Sequence, residues 1–199
     1  GMGRKTDISC FLLALFEKPW YNGIMEKRRI GMKKEEKTNA VRQFEQKKLA
    51  FSLHCYGGTE AISGTEVARV LGQNPADVYK TLVTSGKSGA HYVFVVPVEK
   101  ELDLKKAAAA VGEKNVAMLP AKELLPLTGY VHGGCSPVGM KKLFRTTLDE
   151  SAKQRAHIFF SGGRIGLQIE TTPAALAQLI PFTYAALCRD TEEENHGAI

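Results

Sequence analysis

The chain has 199 residues, 44% hydrophobic and 24% charged, an ordinary globular balance that leaves room for one domain with a sizeable core and argues against a disordered or fibrous chain. Its formal net charge of +6 and pI near 9.1 suit a partner made of phosphates, although a plain soluble basic protein has the same balance. Cys10, Cys55, Cys135 and Cys188 form no C-x-x-C pair and the histidines show no zinc spacing, so reduced thiols, a cytoplasmic location and no structural metal are expected.

Residues 1–36 read as an N-terminal extension. Gly1 before Met2 has the look of an added residue, and Met32 opens a second natural start, MKKEEKTNAV. The apolar run ISCFLLALF (8–16) behind Arg4 and Lys5 imitates a signal peptide. Glu17 and Lys18 follow it without a small-x-small cleavage pattern, and the run is too short to span a bilayer. An appended or mis-started segment is the expectation, a packed amphipathic helix the alternative, and no membrane association is expected.

The folded domain is expected over residues 37–188. Thr38 is placed to cap a helix carrying Ala40, Val41, Phe44 and Lys48 on one side. Residues 51–56 alternate as a strand before a Gly57-Gly58 turn. Residues 65–71 read as a short helix closed by Gly72, and Asn74-Pro75 as another helix start. Strands are predicted at 78–84 and 92–98, joined through Gly86-Lys-Ser-Gly89 as a hairpin. Asp103 caps a helix over 104–111 that Gly112 ends. A strand at 116–119 and a helix at 121–125, cut at Pro126, lead into an irregular glycine-rich stretch, 128–140. Strands follow at 144–148, 158–161 and 167–170. Thr172-Pro173 opens a last helix ending near Ile180, and residues 189–199 form a polar tail. No regular βαβ repeat appears, so the expected fold is α+β, a mixed, curved, barrel-like sheet surrounded by short helices.

Three segments have the means to carry chemistry. Lys80, in DVYKTLV, sits in an otherwise apolar strand, where an ammonium is costly unless it faces a site or snorkels outward. In TGYVHGGCSPVG, adjacent glycines let backbone N–H groups approach an anion or an ester carbonyl, although a plain connecting loop has the same composition. SGGRIGLQIE reads first as a strand–turn–strand corner with Arg164 exposed. No P-loop and no nucleophile elbow is present. A Cys–His nucleophile, Cys55 with His54 or Cys135 with His132, stays open as a minority reading.

The segments KTNAVRQFE, LHCY, VYKTLV, LDLKKAA, TGYVHGGCSPVGMKK and SGGRIGLQIE, in this order over about 37–181, resemble the YbaK/EbsC family, relatives of the editing domain inserted in prolyl-tRNA synthetases. The resemblance implies a trans-editing deacylase that cleaves the ester of mischarged tRNA, cysteine on tRNA(Pro) first, with no metal and no organic cofactor. It implies tRNA as partner, prolyl-tRNA synthetase as a second one, and a site in which Lys80 and Gly133 are catalytic. Tyr56, Thr81, Gly134, Ser136, Pro137 and Gln168 would bind substrate. Lys80 would offset developing negative charge, the Gly133 backbone would orient the ester, and the substrate's own thiol or a ribose-held water would attack. Gln168 stands where relatives carry an acidic residue, and Ser63 where some carry an aromatic, so the amino-acid preference is less determined than the activity. A non-catalytic binding module of the same fold, a Schiff-base role for Lys80 and a Cys135 nucleophile are the alternatives. Lys105, Lys106, Lys141, Lys142 and Arg145 are candidate phosphate contacts.

Overall fold

The computed structural model describes residues 37–57 and 63–189. The expectations for residues 1–36, for Gly58 and for residues 190–199 lie outside the described residues. Thr38 accepts a hydrogen bond from Val41 N at 3.3 Å, which starts helix α1 (Asn39–Gln46) and turns Ala40, Val41 and Phe44 inward. Strand β1 (Ser52–Cys55) follows. Helix α2 (Gly64–Val70) begins on a capping box made by Ser63 and Glu66. The expected helix at Asn74-Pro75 is a single 3-10 turn, Pro75–Asp77, because Val78 is already extended and feeds the next strand.

That strand, β2 (Tyr79–Gly86), forms the predicted hairpin with β3 (His91–Pro97), pairing Lys80 with Val96 and Thr84 with Tyr92. Gly89, at φ +86°, supplies the left-handed turn, and Gly86 N donates to Ala90 O at 2.8 Å. Val93, Phe94, Val95 and Val96 are all fully buried, since β3 lies inside its sheet and is covered on both faces. Helix α3 (Leu104–Val111) is capped by Asp103 and ended by left-handed Gly112. Its Ala107, Ala108 and Val111 join Phe94, Val96, Leu102 and Leu187 in one core cluster.

The remaining elements are β4 (Val116–Met118), α4 (Ala121–Thr128), β5 (Arg145–Asp149), a 3-10 turn (Glu150–Gln154), β6 (Ile158–Ser161), β7 (Leu167–Thr171), α5 (Pro173–Ala177) and β8 (Phe182–Ala185). Five strands run in the order β4-β2-β3-β5-β8 and three in the order β1-β7-β6. A parallel bridge from Val78 to Phe159 touches β6 to the start of β2, so the two sheets curve into one wall. The mixed α+β architecture is the expected one. Among the described residues no helix is long and apolar enough to cross a membrane.

The structure corrects four local expectations. Pro126 does not cut its helix: α4 runs on to Thr128, whose hydroxyl donates to Leu124 O at 2.7 Å, and Gly129 N closes the turn on Leu125 O at 2.9 Å. Proline removes one donor there, and the bonds on either side hold the turn. The last helix is shorter than predicted, and the residues after Pro181 form β8, which pairs parallel with β5 from Phe182–Thr146 to Ala185–Asp149. β5 in turn pairs parallel with β3, so the connections there are crossovers. The strand expected at 144–148 is shifted by one residue to Arg145–Asp149.

Candidate functional site

The cavity exists because β2 runs out of neighbours. Val78 bridges β6 and Val83 O accepts from Leu119 N at 2.9 Å, while β4 pairs only with Thr84 to Gly86. Among the described residues the intervening β2 edge has no strand beside it, and a hollow of about 480 Å³ opens there, within the range that encloses a small ligand. Its walls include Tyr56 from the end of β1, Lys80 and Thr81 from β2, Gly133 from the glycine-rich loop, and Gln168 from β7. Val98, Leu119, Leu124 and Phe160 are among its apolar lining.

Strand pleating points Lys80 and Thr81 to opposite faces of β2, yet both border the hollow because it lies along the strand's edge. Lys80 Nζ donates to Val98 O at 3.4 Å, leaving further donors. Burial lowers the Lys80 amine from its ordinary 10.5, and the nearby Glu101 carboxylate pushes it back up. Cys188 adds little negative charge at neutral pH, because burial and Asp149 push its thiol up to about 12. Flanking residues alone do not show that lowering, which is the direction an amine nucleophile needs. Thr81 Oγ1 is buried and, among the described residues, has no hydrogen-bond partner, an expensive state for a hydroxyl.

Gly133 is exposed at φ +79°, and a Cβ built there would touch only the Ile165 side chain at 3.7 Å. Among the described residues its N–H has no backbone partner, whereas Gly134 N is already spent on Val131 O at 3.0 Å. Gly134, Ser136 and Pro137, expected to bind substrate, are buried behind the wall and do not line the hollow. Ser136 Oγ accepts from Val138 N at 3.3 Å, and Gly134 lets the loop lie against the Arg164 backbone, which a Cβ would meet at 3.0 Å. Tyr130 Oη donates to Val138 O at 2.7 Å and Asn39 Nδ2 to Gly139 O at 2.7 Å, so the loop is pinned to itself and to α1. Tyr130→Phe leaves that carbonyl unpaired, and a loss of about 1–2 kcal/mol in denaturant unfolding is expected.

Cys135 also reaches the wall, but burial pushes its thiol up to about 12, the wrong direction for a nucleophile. The predicted phosphate contacts do not gather at the hollow. Arg145 donates to Val111 O and Ala110 O at the end of α3, Lys141 to Pro126 O, and Lys106 to Cys188 O. Among the described residues no three His, Cys, Asp or Glu side chains are grouped to hold a metal ion. Gln73, whose Nε2 donates to Gln168 Oε1 at 2.6 Å, went unnoticed in the sequence, since that contact spans 95 positions.

Residues 60–179, more than half of the chain, match the family model of the aminoacyl-tRNA editing domain. The chain belongs to this family. The matched span takes in Lys80, Thr81, Gly133 and Gln168, while Tyr56 stands just ahead of it. The editing domain is 44% identical over 156 residues to EbsC of Enterococcus faecalis, described as a candidate Cys-tRNA(Pro)/Cys-tRNA(Cys) deacylase; the alignment covers 78% of this chain and 95% of that one. The crystal structure of a candidate trans-editing enzyme for prolyl-tRNA synthetase superposes with a TM-score of 0.68 at 25% identity, covering 77% of this chain and 99% of the other. A hypothetical protein, APE2540, shares the fold at a TM-score of 0.70 and 24% identity, covering 76% and 100%.

Proposed function

We propose that this editing domain works in trans, hydrolytically or by thiol assistance, on the ester of mischarged tRNA, with Cys-tRNA(Pro) as its foremost substrate. The observation that carries the reading is the sharing of one hollow by Lys80, Thr81 and Gly133, whose N–H has no backbone partner among the described residues. In this reading the Lys80 ammonium steadies negative charge developing on the carbonyl oxygen, and Gly133 N–H orients the ester. The cysteine sulfur bonds to the carbonyl carbon as the ester C–O bond breaks, and the thiol proton ends on the ribose hydroxyl. Attack within one bound molecule gains from proximity and needs no protein nucleophile. Cysteine and proline are close in volume, so a synthetase pocket alone separates them poorly and a second site is useful. Prolyl-tRNA synthetase is the proposed second partner, supplying the tRNA recognition that a hollow of this size cannot.

Purified protein incubated with tRNA(Pro) charged in turn with cysteine, alanine, serine and proline is expected to free the cysteinyl form fastest, and Cys135→Ser to match the wild type. Binding of charged tRNA without release of any amino acid would make the chain a carrier rather than an enzyme. The lowered Lys80 amine gives a Schiff-base reading its one support; absence of a borohydride-trapped adduct during turnover disposes of it.

A further inference from the structure

Gln168 is nearly enclosed, with 3% of its surface exposed, yet it lines the hollow. A side-chain amide in that position has one acceptor and two donors to place. Its acceptor is taken: Gln73 Nε2 donates to Gln168 Oε1 at 2.6 Å. Its Nε2 has no protein partner among the described residues, nor is it one of the buried side-chain atoms sealed away from any partner. Gln168 lines the hollow, and Nε2 is the end of its amide left open to a partner.

Gln73 holds this arrangement from outside. It follows Gly72 at the end of α2, where its own N–H donates to Ala68 O at 2.8 Å and fixes its backbone. Its Oε1 is buried and has no partner among the described residues. Turning both amides over would leave a buried N–H2 in that place, with two donors unmade instead of one underused acceptor, and orphaned donors are the rarer and costlier case.

We infer that Gln73 is a positioning residue that fixes which end of the Gln168 amide faces the hollow, and that the N–H2 so presented reads the side chain of the bound aminoacyl group, favouring one with an acceptor atom over a bare methyl. The inference rests on the deacylase reading above. It assigns cysteine over alanine a source of preference besides the reactivity of the thiol: the sulfur accepts a hydrogen bond, weakly as a thiol and more strongly as it becomes a thiolate.

The test inverts the amide. In Gln73→Glu the carboxylate can only accept, so it draws Gln168 Nε2 to itself and turns Oε1 toward the hollow; in Gln73→Met the amide is unheld. The ratio of kcat/KM for Cys-tRNA(Pro) over Ala-tRNA(Pro) is expected to fall about fivefold or more in both variants, with alanine release within twofold of the wild type. A merely structural Gln73 would lower both rates together, so an unchanged ratio in either folded variant overturns the inference whatever the absolute rates. Should Gln73→Glu fail to fold, Gln73→Met decides alone. A wild type that releases neither amino acid would sink the deacylase reading itself, a result plainly different from an active enzyme whose ratio ignores Gln73.

Discussion

Lys80→Met is expected to slow ester cleavage by about 10²-fold or more while the protein stays folded. Methionine keeps the length and flexibility of the stem and removes only the charge and its donors. The fold has little to lose, because among the described residues the Lys80 ammonium makes one long bond, to Val98 O at 3.4 Å, and burial works against its charge. The folded amine is held below its unfolded value of 10.5. Between those two values the unfolded chain binds more protons, so this group's contribution to stability rises with pH across that window and is unfavourable at neutral pH. The variant should therefore melt no lower than the wild type at pH 7, with the difference shrinking in alkali. Activity has the opposite dependence. If the ammonium is the working form, the wild-type rate falls as pH climbs through the lowered value, so the alkaline limb lies below 10.5 once spontaneous ester hydrolysis is subtracted. Single-turnover release of labelled cysteine, beside a thermal melt, reads both; a variant with the wild-type rate removes Lys80 from the chemistry.

The same residue shows what a sequence discloses about a site. Lys80 is conspicuous because it stands in a largely apolar strand, and a cation there needs a reason. Gly133 is conspicuous for a similar reason, as one of two adjacent glycines in an irregular stretch. The caps at Thr38 and Asp103 and the turn before β3 are equally local, each set by a few contiguous residues, and each holds in the structure. What stayed hidden depends on distant partners. Four residues after Pro181 make a strand only because β5 offers an edge to pair with, and Pro126 sits inside a helix only because Thr128 and Gly129 close the turn around it. Gln168 can be suspected from its strand, but the direction of its amide is set by Gln73, and no local pattern announces that pair. Ser136 and Pro137 lie in a loop that reaches the hollow, and composition cannot tell the residue facing inward from those that brace it.

Gly139→Ala is expected to cost the fold about 3–5 kcal/mol, a fall of roughly 10 °C in melting temperature for a chain of this size. The backbone there has φ +80°, which an L side chain rarely adopts. The added methyl has nowhere to go: a Cβ would stand 2.7 Å from Tyr130 Oη, 2.8 Å from Ala40 N and 2.9 Å from the carbonyl carbon of Asn39. Two of those atoms are backbone in the first turn of α1, and the third is the hydroxyl already committed to Val138 O. Relief would have to lift α1 away from the loop and break the bond from Asn39 Nδ2 to Gly139 O. Gly133 has almost the same φ, +79°, yet its Cβ position meets only the tip of Ile165. The loop thus uses one backbone shape for two purposes, close packing at Gly139 and an open N–H at Gly133. A Gly139→Ala protein with an unchanged melting temperature would mean that α1 does not press on this loop, and the firm backing of the loop that carries Gly133 to the hollow would go with it.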